Sequence, residues 1–115
     1  MIYKGSCHCG RIRFEAEGEM GDVIECNCSH CSRKGYLLWF VPRAQLRLTT
    51  PESELSTYTF NKHVIQHHFC AHCGCAPFGL GTAPSGEATA AVNVRCIEGI
   101  ELTELTRIPY DGRSL

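Results

Sequence analysis

Polar and apolar residues alternate with a period of two along much of this chain, the pattern of strands with one buried face. Arg11-Ile12-Arg13-Phe14-Glu15-Ala16-Glu17 is the clearest stretch, its apolar members sharing one side. Residues 36–41 are apolar throughout and predict a fully buried strand ended by Pro42. Residues 46–49 predict another, closed by Pro51. Residues 55–60 and 64–69 flank Asn61-Lys62-His63, which suits a hairpin turn. Residues 77–80 and 88–94 predict two more strands, separated by Pro84-Ser85-Gly86. Residues 101–107 read as a short helix or an extended tail, because Thr103, Thr106 and Pro109 argue against a long helix. About seven short strands at regular spacing imply an all-β sandwich or open barrel.

Composition narrows the function classes. A chain of 115 residues suits one domain, residues 1–115, with one modest core. With 43% apolar and 20% charged residues it is neither disordered nor membrane-spanning, and residues 36–41 fall far short of the ~20 needed to cross a bilayer. The net charge of −1 argues against a protein that grips nucleic-acid phosphates; Lys34, Lys62 and the scattered arginines form no stripe. Residues 1–6 hold no apolar stretch of signal-peptide length, so the expected compartment is the reducing cytoplasm, where structural disulfides rarely persist.

The nine cysteines change the picture most, being too many for accident and odd in number. They fall as Cys7-x-Cys9, Cys26-x-Cys28-x-x-Cys31 and Cys70-x-x-Cys73-x-Cys75, with Cys96 alone. Thiolates one or two residues apart turn towards a common point, and zinc favours such thiolate-rich tetrahedral sites. The simplest division is a four-cysteine site from Cys7, Cys9, Cys70 and Cys73, and a three-cysteine site from Cys26, Cys28 and Cys31. The first is saturated and staples distant segments of a small domain. The second lacks a fourth ligand, which leaves room for water, a thiol or a carbonyl oxygen. Its competing reading is a second structural zinc completed by a histidine, with His30, His8, His67, His68 and His72 as nominees. Cys75 and Cys96 read as small buried hydrophobes, although Cys96 follows a strand and is a further approach to a metal. His63, His67 and His68 suit surface or packing roles, and Trp39 the core.

These motifs resemble the glutathione-dependent formaldehyde-activating enzyme family, which also includes the centromere protein V domain. The resemblance lies in Gly5-Ser6-Cys7-His8-Cys9-Gly10-Arg11-Ile12-Arg13-Phe14, in Cys26-Asn27-Cys28-Ser29-His30-Cys31-Ser32-Arg33-Lys34-Gly35, and in Phe69-Cys70-Ala71-His72-Cys73-Gly74. Thr57-Tyr58-Thr59-Phe60-Asn61 followed by His67-His68-Phe69-Cys70 is similar to the centromere protein V branch. Val92-Asn93-Val94-Arg95-Cys96 and Tyr110-Asp111-Gly112 match later landmarks more loosely. The resemblance implies a β-tent of small zinc-stapled antiparallel sheets with two zinc ions. The structural ion falls on Cys7, Cys9, Cys70 and Cys73, and the catalytic one on Cys26, Cys28 and Cys31. Cys75 departs from the Ser, Thr or Val of many relatives and puts a redox-sensitive thiol beside the structural site.

The implied activity is carbon–sulfur lyase chemistry run in the direction of synthesis: formaldehyde condenses with glutathione, the co-substrate, to S-hydroxymethylglutathione. A proton must move in that step. His30 is the nearest titratable group in sequence to the three-cysteine motif, with His67 or His68 as alternatives. Arg33 and Lys34 are placed to attract glutathione carboxylates, or simply form a solvated basic turn. The rival class is a zinc-stabilised, non-catalytic binding module of the same fold.

Overall fold

The computed structural model describes residues 1–114 and is built mostly of strands. Strands β1 (Ile2–Ser6), β2 (Arg13–Glu17) and β5 (Leu46–Leu48) form a three-stranded antiparallel sheet in the order β1-β2-β5. Strands β3 (Val23–Cys26), β4 (Leu38–Pro42), β6 (Leu55–Tyr58), β7 (Gln66–Cys70), β8 (Phe78–Thr82), β9 (Ala88–Asn93) and β10 (Arg107–Tyr110) form a seven-stranded sheet. Its order is β10-β3-β4-β9-β8-β7-β6. Among the described residues one short α-helix, α1 (Ser29–Lys34), follows β3.

The core lies between the sheets. Phe14, Ala16 and Leu46 from the smaller sheet meet Trp39, Val41, Phe78, Ala90 and Val92 from the larger. Two edge-to-face pairs cross the interface, Tyr3 with Trp39 at 5.3 Å and Phe14 with Phe78 at 5.6 Å between ring centroids. These residues alternate along their strands, so the intervening ones point to the outer face of the seven-stranded sheet. There a second, smaller cluster forms from Cys31, Tyr36, Leu38 and Ala76, with Cys26, Cys28 and Phe69 against it.

The all-β expectation holds, and the alternating stretch at 11–17 becomes β2. The 36–41 prediction needs correction: the strand is Leu38–Pro42, and Phe40 is 51% exposed because it points to the outer face where no second sheet lies over it. The turn between β6 and β7 is longer than a tight hairpin, with Asn61 and His63 both at positive φ and His63 Nδ1 bonded to Thr59 Oγ1 at 2.8 Å. Residues 101–107 resolve into a single 3-10 turn at Leu102–Glu104 leading into β10. That strand pairs parallel with β3, among the described residues the one parallel pair in a sheet of otherwise antiparallel neighbours. Among the described residues, no helix is long and apolar enough to cross a membrane.

Candidate functional site

Cys7 and Cys9 occupy the turn between β1 and β2, which Cys7 closes by donating its N–H to Ile12 O at 2.9 Å. Cys70 ends β7, and Cys73 lies in the turn after it. Gly74 takes φ 81°, a conformation that suits glycine, and donates to Cys70 O at 2.8 Å, which folds Cys73 back towards Cys70. All four sulfurs lie within 4.8 Å of one another. Cys7 Sγ is 3.7 Å from Cys9 Sγ, and Cys9 Sγ is 3.6 Å from Cys70 Sγ. Four thiolates at tetrahedral zinc, with Zn–S near 2.3 Å, stand about 3.8 Å apart. The donor set therefore fits zinc in both number and spacing. Backbone N–H groups of Ile12 and Cys73 reach Cys7 Sγ and Cys70 Sγ at 3.3 and 3.5 Å, and such bonds favour the thiolate. Burial pushes the Cys73 thiol up, but N–H donation from Cys75 and Cys9 together with the Cys70 and Cys7 side chains outweighs it and holds Cys73 down to about 5.

The second group is local. Cys26 closes β3, Cys28 caps α1, and Cys31 lies in its first turn, and their sulfurs also fall within 4.8 Å of one another. Cys28 Sγ accepts from Cys31 N at 3.3 Å, and Cys26 Sγ from Cys28 N at 3.4 Å. The helix stops at Gly35, which takes the left-handed conformation and donates to Cys31 O. Burial opposes ionisation of Cys28, yet the Cys31 and His30 backbone groups and the neighbouring thiols hold it below the usual thiol range. Burial and the Cys28 and Cys26 sulfurs push Cys31 well above it. Among the described residues, no histidine or carboxylate joins these three sulfurs as a fourth donor. The chemistry of this set fits zinc with one position left to a non-protein ligand.

A strap from the C-terminal end closes one side of the three-cysteine group. Asn27 donates its N–H to Tyr110 O at 3.1 Å and its Nδ2 to Asp111 Oδ1 at 2.9 Å, and its Oδ1 accepts from Arg113 N at 2.8 Å. This holds Gly112 so tightly over the group that a Cβ there would come within 2.5 Å of Cys26 Sγ.

The other side opens on aromatic rings. His30, Lys34, Tyr36, Tyr58, His67 and Phe69 line a cavity of about 330 Å³. The His30 ring lies 4.3 Å from that of His67, 5.4 Å from Tyr58 and 5.1 Å from Phe60. His30 Nδ1 is buried without a hydrogen-bond partner. Burial and Lys34 lower the His30 pKa, and burial, His30, His68 and Lys34 bring His67 down to about 4, so both imidazoles are uncharged at neutral pH. Burial and the Cys31, Cys96 and Cys28 sulfurs push the Tyr36 phenol up to about 12, which keeps its proton on.

The structure separates residues that spacing left equivalent. His67 lines the cavity with its ring 4.3 Å from that of His30, whereas His68 points inward, bonded to Thr57 Oγ1 at 3.0 Å and packed on Phe78. His8, His63 and His72 are exposed. Cys75 and Cys96 are half-buried against the main core and lie outside both sulfur groups. Trp39 is buried, as expected. Arg33 donates back to Ser29 O at 2.8 Å, while the Lys34 ammonium sits 5.4 Å above the Phe69 ring. Sequence reasoning missed Tyr36, Tyr58 and Phe69 as site residues, and also helix α1. The signal for the helix was Arg33-Lys34-Gly35, a basic last turn followed by a glycine stop. A more open depression of about 640 Å³ lies along residues 42–47 with Glu87 and Ala88, away from both groups. Its arginines are engaged, Arg43 with Leu46 O and Arg47 with Glu15.

Comparison with known proteins agrees with this geometry. Residues 2–105 match the family profile described as glutathione-dependent formaldehyde-activating enzyme. The crystal structure of a Rhodobacter sphaeroides protein, a structural-genomics target, superposes with a TM-score of 0.78 at 30% sequence identity, covering 91% of this chain and 99% of that one.

Proposed function

The chain belongs to the glutathione-dependent formaldehyde-activating enzyme family, and from that premise we propose that it is a zinc-dependent enzyme of carbon–sulfur lyase type. It forms or breaks the adduct of a small, formaldehyde-like aldehyde with glutathione or a similar thiol. The carrying observation is the unequal donor count: four sulfurs in one group, three in the other, and a cavity beside the three. Cys7, Cys9, Cys70 and Cys73 would hold the structural ion, and Cys26, Cys28 and Cys31 the catalytic one. Zinc at the three-cysteine group would supply Lewis acidity towards a carbonyl oxygen and would lower the pKa of a thiol.

The chain's own residues do the rest. Adduct formation moves one proton from sulfur to oxygen. His30, uncharged, with Nδ1 unpartnered and lying between Cys28 and Cys31 in the chain, is the proton acceptor, and His67 stands beside it. Tyr36 keeps its hydroxyl proton and offers a donor to a developing oxyanion. Seven thiolate ligands fit a reducing compartment such as the cytoplasm, with residues 1–115 acting as one domain.

X-ray absorption on protein of known zinc content, with and without millimolar glutathione, tests the reading alongside turnover of an aldehyde panel above the uncatalysed rate. Exchange of a light ligand for sulfur at one ion, together with turnover, is expected. Two closed protein shells unmoved by thiol would make the chain a zinc-stabilised binding module instead.

A further inference from the structure

The cavity beside the three-cysteine group is far larger than formaldehyde, with its two heavy atoms, requires. Its volume is about 330 Å³, and an apolar cavity of about 150 Å³ already admits benzene. The space therefore takes a six-membered ring with a substituent and still leaves room for the reacting carbon. Its walls are flat π-systems on three sides. Tyr36 and Phe69 come from the outer face of the sheet, His30 from α1, and His67 and Tyr58 from the paired strands β7 and β6. Tyr58 is 49% exposed and forms the outermost wall, tilted 35° to His30 at 5.4 Å.

Charge in the lining is equally one-sided. Among the described residues, Lys34 is its one formal cation, and no carboxylate lines the cavity. None of the ion pairs among the described residues involves Lys34, so its ammonium at the rim has no anionic partner. A tripeptide thiol with two carboxylates and an ammonium matches such a lining poorly, because its ammonium finds no acceptor carboxylate there. A ring with a single negative substituent matches it well, with faces for the rings and an anion for the lysine.

We infer that the aldehyde taken by this site is an aromatic one bearing an anionic group, its ring seated against Tyr58 and His30 and its anion at Lys34. This rests on the three-cysteine group being the reacting site. The step is addition: the thiol sulfur bonds to the carbonyl carbon, the C=O π pair moves to oxygen, and the thiol proton ends there. No oxidant or reductant is involved.

The test has a binding arm and a turnover arm, both on zinc-loaded protein. Calorimetry follows 4-(hydroxymethyl)benzoate, an unreactive analogue, and benzyl alcohol. Turnover with glutathione compares 4-carboxybenzaldehyde, cyclohexanecarbaldehyde and formaldehyde. The carboxybenzaldehyde is expected to exceed cyclohexanecarbaldehyde at least tenfold in kcat/KM. Tyr58→Ala weakens binding of the analogue about 3- to 10-fold. Lys34→Gln weakens the carboxylate ligand at least fivefold more than benzyl alcohol. Both side chains are exposed, so circular dichroism should show the variants folded. Turnover of formaldehyde alone, with no binding of the aromatic analogue, overturns the inference and leaves the lyase reading standing. Aromatic binding with the expected Tyr58 and Lys34 dependence, but no turnover of any aldehyde, upholds the pocket and overturns the lyase reading.

Discussion

The four-cysteine group draws its sulfurs from segments 61 residues apart and joins the β1–β2 turn of one sheet to the end of β7 in the other, whereas the three-cysteine group takes all of its sulfurs from the six residues 26–31. Closing the longer loop removes more freedom from the unfolded chain, by about 2 kcal/mol on length alone. The long-range group also sits against the main core, with Cys7 and Cys70 almost wholly buried. The local group lies on the outer face, beside an open cavity, and closes little chain. The same ligand chemistry thus serves stability where it spans the fold, and is free to serve reactivity where it does not.

The largest effect that sharpens this contrast is Cys70→Ser. It removes a fully buried donor and a binding energy that is folding energy, on the order of 10 kcal/mol for structural zinc and comparable with the whole stability of a domain. Loss of a cooperative thermal transition in circular dichroism is expected; a variant that melts like the parent would erase the distinction. Next comes Cys28→Ala, which should lose one zinc equivalent and all thiol–aldehyde turnover while staying folded. Its melting point should drop by about 4–8 °C, since Cys28 also caps α1. Retention of two zinc ions by mass spectrometry would break the division.

Gly112→Ala is subtler. A methyl group forced against Cys26 Sγ should weaken the metal at the three-cysteine group by about 10- to 100-fold and leave the other unchanged. Chelator competition, with biphasic zinc release growing more widely spaced, reads this directly.

The smallest effect concerns acid. The folded-state pKa of His67 lies at about 4, below the unfolded value of 6.5. Its contribution is therefore fully present above pH 6.5 and is lost as pH falls towards 4. Between pH 7.5 and 5.5 the parent should lose about 1 kcal/mol more than His67→Gln, a figure held down by the partial exposure of the ring. Denaturant unfolding at matched zinc content measures the difference, and parallel slopes would move the acid sensitivity away from the pocket side.

Much of this architecture was legible in the residues alone. Alternation at 11–17, turn residues at 61–63 and the β-branched and apolar runs marked seven of the ten strands among the described residues, and cysteine spacing divided seven sulfurs as the structure groups them. Such features are local, because a period of two or a gap of two residues is set by neighbours along the chain. Strands β1, β3 and β10 are only four or five residues long and carry weak alternation, so their existence depends on partners elsewhere. Tertiary structure decided that β10 runs parallel to β3 and lays Gly112 on Cys26, that His67 rather than its neighbour lines the cavity, and that rings from positions 30 to 69 line one cavity. Those outcomes follow from register. A shift of one residue between strands turns every side chain to the opposite face, and the register is set by burial across the whole sheet.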